Sequence, residues 1–205
     1  MRRRGIPEVL LSKDTVNAER LGSGADGYRP AARAFHWLTV VLVATQLPIG
    51  LYMVYRGPGL NVWDAVTNTL YATHKLLGVT ILLLVAIRLG YRLVAGAPAP
   101  EPTLAPWQKI ASVLNHWSLY ALLLTVPALG YVAICYFPAL NIVGGFSLPA
   151  IVAPDRARYD AIIEWHEAGA LTLLGLITLH IAAVVYHRFI RRDGVLARML
   201  RGRAD

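Results

Sequence analysis

The stretch Glu164-Trp165-His166-Glu167 opens an apolar run that passes through Leu179-His180 to Tyr186-His187. His166 and His180 lie fourteen residues apart in it, which at 1.5 Å per residue is about 21 Å along a helix, close to four whole turns. At about 100° per residue the two imidazoles fall within roughly 40° of each other. They share one face but lie near opposite sides of a hydrocarbon layer about 30 Å thick. One membrane helix can therefore serve two sites at two depths.

Composition points the same way. Of 205 residues, 56% are hydrophobic and 16% charged, with mean hydropathy +0.49, whereas a soluble domain carries about 25% charge. The formal net charge is +8. The basic residues gather beside apolar blocks instead of interleaving with aromatics, which argues for membrane topology and no nucleic-acid partner. A lone Cys135 excludes an internal disulfide, and no C-x-x-C-H is present for covalent haem attachment. The basic Met1-Arg2-Arg3-Arg4 is followed by a mixed polar segment, so no cleavable signal peptide is expected.

Residues 1–33 read as a polar N-terminal tail without sustained periodicity. Four spans follow, at about 34–55, 70–92, 109–137 and 162–189, forming one domain over 34–189, and a basic tail closes the chain at 190–205. The Pro-rich stretch 95–102 must end span two, because proline lacks the backbone donor. Pro127 predicts a kink in span three. The apolar, Gly- and Pro-rich loop 138–160 is expected to lie at the membrane surface. The fold class is thus all-α, an integral membrane four-helix bundle. Lysine and arginine concentrate in the N-terminal segment, the loop after span two and the C-terminal tail, so both termini are expected in the cytoplasm.

With that orientation each histidine acquires a depth. His36 enters at the inner side of span one, His74 at the outer side of span two, His166 at the outer side of span four, and His180 four turns further in. The depths pair His74 with His166 and His36 with His180. Polar residues within a span usually face the interior or a cofactor, and haem iron is commonly held by axial histidine. Structural zinc wants about four close N or S ligands, and copper would recruit Cys or Met, so two facing bis-imidazole sites read best as two haems. His187, seven residues past His180 on nearly the same face, leaves a His36–His187 pair open on spacing alone.

Other residues carry two readings each. Arg88, fourteen residues after His74, can neutralise a haem propionate or snorkel to the inner interface. His116, near the inner end of span three, suits an interfacial or propionate-contacting role. Trp165 and Trp37, each beside a histidine, read first as interface anchors and second as partners for a haem edge or quinone. Gly50, Gly78, Gly169 and Gly175 suit either a close porphyrin approach or helix packing.

Arg33-Ala-Phe-His36-Trp37, Thr73-His74-Lys75-Leu-Leu-Gly78 with Arg88-Leu-x-x-Arg92, and Trp165-His166-Glu167 with Leu179-His180 together resemble the bacterial cytochrome b561 family over about residues 30–200. The resemblance implies two haem b groups, the inner on His36 and His180 and the outer on His74 and His166, in the bacterial inner membrane. It further implies ubiquinone as electron acceptor and a periplasmic donor, which is superoxide in one branch of the family. Other relatives act as haem-bearing anchors that relay electrons for a dehydrogenase or hydrogenase, which is the alternative reading. Lys75, Arg56, Arg156 and Arg158 are the residues that could guide an anion at the outer face, partly offset by Asp155, Asp160, Glu164 and Glu167.

Overall fold

The computed structural model describes residues 27–142 and 145–201. Most of the N-terminal tail, and Val143-Gly144 of the surface loop, lie outside the described residues. Four long helices dominate: α1 (Pro30–Val54), α2 (Ala65–Ala95), α3 (Pro106–Tyr136) and α4 (Arg156–Val185), followed by a short α5 (Ala197–Leu200). Wider π-helical turns extend α1 through Tyr55–Gly59 and α4 through Tyr186–Arg191. All four long helices are long and apolar enough to cross a membrane. Among the described residues no strand forms beyond one isolated bridge, Asn141 to Ser147.

The helix ends follow from local chemistry. Pro30 and Pro106 sit in first turns, where a missing N–H costs nothing. Asp64 caps α2 by accepting from the Thr67 N–H at 2.9 Å, and Asp155 caps α4 by accepting from the Arg158 N–H at 3.1 Å. Gly96, at φ +73°, ends α2 in a conformation that glycine alone adopts cheaply. The helices outrun the expected spans by several residues because caps set their ends, and apolar content does not. Pro127 lies inside α3, which continues on both sides of it.

Consecutive helices pack on one another, α1 on α2, α2 on α3 and α3 on α4, while neither α1 nor α2 approaches α4 closely along the backbone. A small apolar core of Val43, Ile81, Val85, Tyr120, Leu123 and Leu173 joins all four. Leu173 stands midway between His166 and His180, so this core separates the two histidine depths. Outward side chains such as Leu83, Ile87, Leu171 and Leu179 are exposed, as lipid-facing positions of a bundle must be.

The described ends of the chain meet at one end of the bundle, where the Tyr28 N–H donates to the Arg198 carbonyl at 3.1 Å. The C-terminal segment is pinned there. The Trp37 indole and the Arg33 Nε donate to the Met199 carbonyl at 3.3 and 3.1 Å. Arg191 and Arg198 donate to the carbonyls of Thr103 and Ala99 in the α2–α3 loop at 2.9 and 2.7 Å. The first part of the basic tail thus forms a strap across the end that carries His36 and His180.

Candidate functional site

The six histidines of the chain all lie among the described residues, and four of them form two pairs between helices that do not otherwise touch closely. The rings of His74 on α2 and His166 on α4 stand 6.2 Å apart, centre to centre, and those of His36 on α1 and His180 on α4 stand 6.4 Å apart. Two imidazoles bound end-on to one metal, with metal–nitrogen bonds of about 2.0 Å and roughly 1.2 Å more from each nitrogen to its ring centre, would stand about 6.4 Å apart. Both pairs match that span. His116 lies closer to His180, at 5.4 Å, which is too short for the same geometry. His187 is engaged elsewhere. Its Nδ1 sits 2.6 Å from the Asp193 carboxylate in a buried hydrogen bond that anchors the strap.

Proton positions follow from partners that can only accept. The His166 Nδ1–H donates to the Val126 carbonyl at 2.8 Å, leaving Nε2 as the lone pair that a metal would take. The His116 Nδ1–H donates to its own Ser112 carbonyl at 2.6 Å. His36 differs. Arg88 Nη2 lies 3.0 Å from its Nδ1, and because a guanidinium only donates, that nitrogen is here the acceptor. Holding iron through Nε2 would put a proton on Nδ1 and turn Arg88 toward an anion. Arg88 and Arg92 both lie over the Tyr120 ring, at 5.3 and 5.8 Å, and among the described residues neither has a carboxylate within ion-pair distance.

Glycines make the close approaches possible. A Cβ on Gly50 would stand 3.0 Å from His74 Cε1, and one on Gly130 would stand 2.9 Å from His166 Cε1. Gly130 is the site residue that sequence reading missed. Its signal was position, since it follows His116 by fourteen residues just as Gly50 follows His36. Of the other glycines, Gly169 admits Val126, whose Cγ2 would be 2.8 Å from an added Cβ, so it serves helix packing. Gly78 abuts the Gln46 amide and Gly175 faces open space. Trp165 is strongly exposed (70%), which fits an interface anchor. Trp37 lies edge-on to His36 at 5.2 Å while tying down the strap.

The donor set is two separated pairs of neutral-capable nitrogen ligands, one of them, His74 and His166, packed against glycines, and the other with Arg88 and Arg92 beside it, which pair with no carboxylate among the described residues. These residues fit a planar iron porphyrin bearing carboxylates. Among the described residues no group of three or more His, Cys, Asp or Glu could hold a metal ion by itself.

At the opposite end of the bundle the cations expected to guide an anion are engaged. Arg56 pairs with Asp64 at 2.6 Å, Arg156 with Asp160 at 2.9 Å and Arg158 with Asp155 at 3.2 Å. Lys75 donates to the carbonyls of Ala139 and Asn141 in the surface loop, at 2.9 Å to the first.

Comparison with known proteins gives the family. The sequence pattern of prokaryotic cytochrome b561 matches residues 27–202. "Cytochrome b561 homolog 2" of Escherichia coli (strain K12) is 29% identical over 174 residues, covering 84% of this chain and 90% of that protein. "Cytochrome b562" of Cereibacter sphaeroides is 30% identical over 179 residues, covering 86% and 97%. "Probable superoxide oxidase CybB" of Yersinia pestis is 27% identical over 166 residues, covering 80% and 90%.

Proposed function

The chain belongs to the prokaryotic cytochrome b561 family of bacterial membrane electron carriers, and from that premise we propose that it binds two haem b groups and moves electrons from a periplasmic donor to ubiquinone in the inner membrane. The observation that carries this is the pair of histidine spacings, 6.2 and 6.4 Å, at two depths of one bundle. His74 and His166 would hold the outer iron, and His36 and His180 the inner one. When bound, the two porphyrins supply one-electron redox chemistry at two levels of the membrane.

The protein's own part is to orient and neutralise. Val126 fixes the tautomer of His166 through its carbonyl, and Gly50 and Gly130 let the outer imidazoles reach their places. Arg88, which lies beside His36, would neutralise the propionates of the inner group, with His116 near the same pair. The abundance of arginine at the strap end supports a cytoplasmic location for both termini.

For the donor we favour superoxide, in keeping with the relative named as a probable superoxide oxidase. Two superoxide anions would each give up one electron and leave as O2, while one ubiquinone takes two electrons and two protons. A second reading, a haem-bearing anchor that relays electrons for a soluble redox subunit, is favoured by the charges at the donor end. Arg56, Arg156 and Arg158 pair with Asp64, Asp160 and Asp155, Lys75 is held by backbone carbonyls, and Glu164 and Glu167 add further negative charge to that stretch of sequence, which weakens the case for steering an anion. The experiment is a visible difference spectrum of the purified protein. Rapid reduction by superoxide to the level reached with dithionite, followed by reoxidation on adding ubiquinone, supports the first reading. Reduction by dithionite alone supports the anchor.

A further inference from the structure

Backbone packing runs from α1 to α2, α3 and α4 in turn, without a close approach between α4 and α1. Those two helices carry His180 and His36. At the inner end the strap crosses from one to the other. Where α4 ends, His187 Nδ1 lies 2.6 Å from the Asp193 carboxylate. Arg191 and Arg198 then donate to the Thr103 and Ala99 carbonyls of the α2–α3 loop at 2.9 and 2.7 Å. Beyond them the Met199 carbonyl accepts from the indole of Trp37, the residue after His36, at 3.3 Å, and the Arg198 carbonyl accepts from the Tyr28 N–H at 3.1 Å. The strap therefore touches α4, the α2–α3 loop and the start of α1 in one pass.

This crossing is dry. The Asp193 and His187 side chains are 5% and 10% exposed, and Arg198 and Glu101, an ion pair at 3.7 Å, are 11% and 12% exposed. A Cβ on Gly194 would stand 3.2 Å from Glu101 Oε2, so the strap backbone lies directly on that carboxylate. A merely solvated tail would leave such groups in water, because burying charge is costly unless it is paired. The sides of the bundle differ from its end. Leu38 and Val40 near His36, and Leu179 and Ile181 beside His180, are exposed apolar side chains, so the rim between α1 and α4 faces lipid at this depth.

We propose that the strap, residues 192–200, is a seal that bars soluble electron acceptors from the inner pair and leaves the lipid-facing gap between α1 and α4 as the way out for electrons. This rests on the reading of His36 and His180 as iron ligands. A closed end keeps water and soluble reactants from a reactive centre, so the strap selects the acceptor by where it is dissolved. An acceptor in the bilayer reaches the pair from the side, and one in the cytoplasm meets Asp193, Gly194 and Arg198 laid over the α2–α3 loop. The bound haems do not depend on the strap.

The test compares the full haem-loaded chain with an Asp193→Ala, Arg198→Ala double variant, whose net charge is unchanged. Hydrogen exchange of the strap amides in the purified proteins reports release without reference to electron transfer. In sealed membrane vesicles with the strap end outward, the haem is reduced anaerobically by light with a membrane-permeant deazaflavin. Hexacyanoferrate(III), an anion that stays outside and accepts a single electron to become hexacyanoferrate(II), is then added. Slow oxidation is expected in the wild type, although the arginines of this end attract the probe. In the double variant oxidation should be several-fold faster, in step with faster exchange, while oxidation by ubiquinone in the bilayer stays the same. A wild type oxidised as fast as the double variant would overturn the proposal, as would faster exchange without faster oxidation, or an equal change in the ubiquinone rate, which marks general damage. If the double variant does not accumulate, Asp193→Asn and Arg198→Gln are read by the same two measurements, and unchanged exchange in both overturns the account of what holds the strap. A wild type without haem would instead overturn the iron-ligand reading, and the proposal with it.

Discussion

Replacing Gly130 by alanine should remove one haem. The added Cβ would stand 2.9 Å from His166 Cε1 and 3.0 Å from its Nδ1, both well inside ordinary contact. A free side chain would swing aside, but this ring is held through Nδ1 by the Val126 carbonyl and, in the haem-bound protein, through Nε2 by iron, so it cannot move without losing one or the other. Overpacking of this kind costs about 1–3 kcal/mol, and the lost hydrogen bond about 0.5–1.5 kcal/mol. Together they correspond to roughly a 10- to 1,000-fold loss of haem affinity at the outer site, at about 1.4 kcal/mol per tenfold. The control is Gly175→Ala on α4, where nothing lies within 4 Å of the new methyl group. There alanine should leave both haems bound and favour the helix by about 0.5–1 kcal/mol. The assay is the pyridine haemochrome ratio of haem to protein after purification in detergent. A Gly130→Ala protein with two haems and unaltered low-spin signals, or a Gly175→Ala protein as depleted as Gly130→Ala, would refute the reasoning.

Three further outcomes are expected. His36→Ala should lose one haem while His116→Ala keeps two, as counted by the same ratio, because His36 has the spacing to His180 that a shared iron requires and His116 stands too close. Asp193→Asn should weaken the buried pairing with His187 and release the strap, read as faster proteolysis after Arg192 with the haem spectrum kept. The Asp64 carboxyl is held below the usual carboxylate range, first by the Thr67 N–H and also by Arg56. Its contribution to stability is thus full above the unfolded pKa of about 3.9 and is lost as pH falls through the lower folded value. Thermal unfolding followed from pH 6 to pH 3 should show Asp64→Asn less stable than wild type at the upper end and converging with it at the lower.

How far the sequence reaches can be judged from particular residues. Four spans and the pairing of histidines by depth were legible, because hydropathy sets the spans and helical rise converts residue count into distance. His180 rather than His187 facing His36 was not legible from spacing, since both lie on nearly one face. It depends on Asp193, six residues beyond His187 and across a left-handed turn at Arg192, φ +54°. The strap was hidden for a similar reason. Arginine-rich tails usually read as solvated, and only the carbonyls of Ala99 and Thr103 in a distant loop give these arginines something to hold. Gly130 was passed over because a lone glycine in an apolar helix has many uses; its role becomes visible only when the His166 ring is set against it. The acids that offset Arg56, Arg156 and Arg158 were legible as sequence neighbours, and the structure adds that each cation is paired with one of them three to eight residues away.

The most direct test of two histidine pairs serving two irons is the haem content of the wild-type chain together with its low-temperature electron paramagnetic resonance spectrum. Two haem b per chain, both low-spin with bis-imidazole signals, is the predicted result. One haem per chain, a high-spin centre that persists in intact protein, or no haem from haem-replete cells would contradict it.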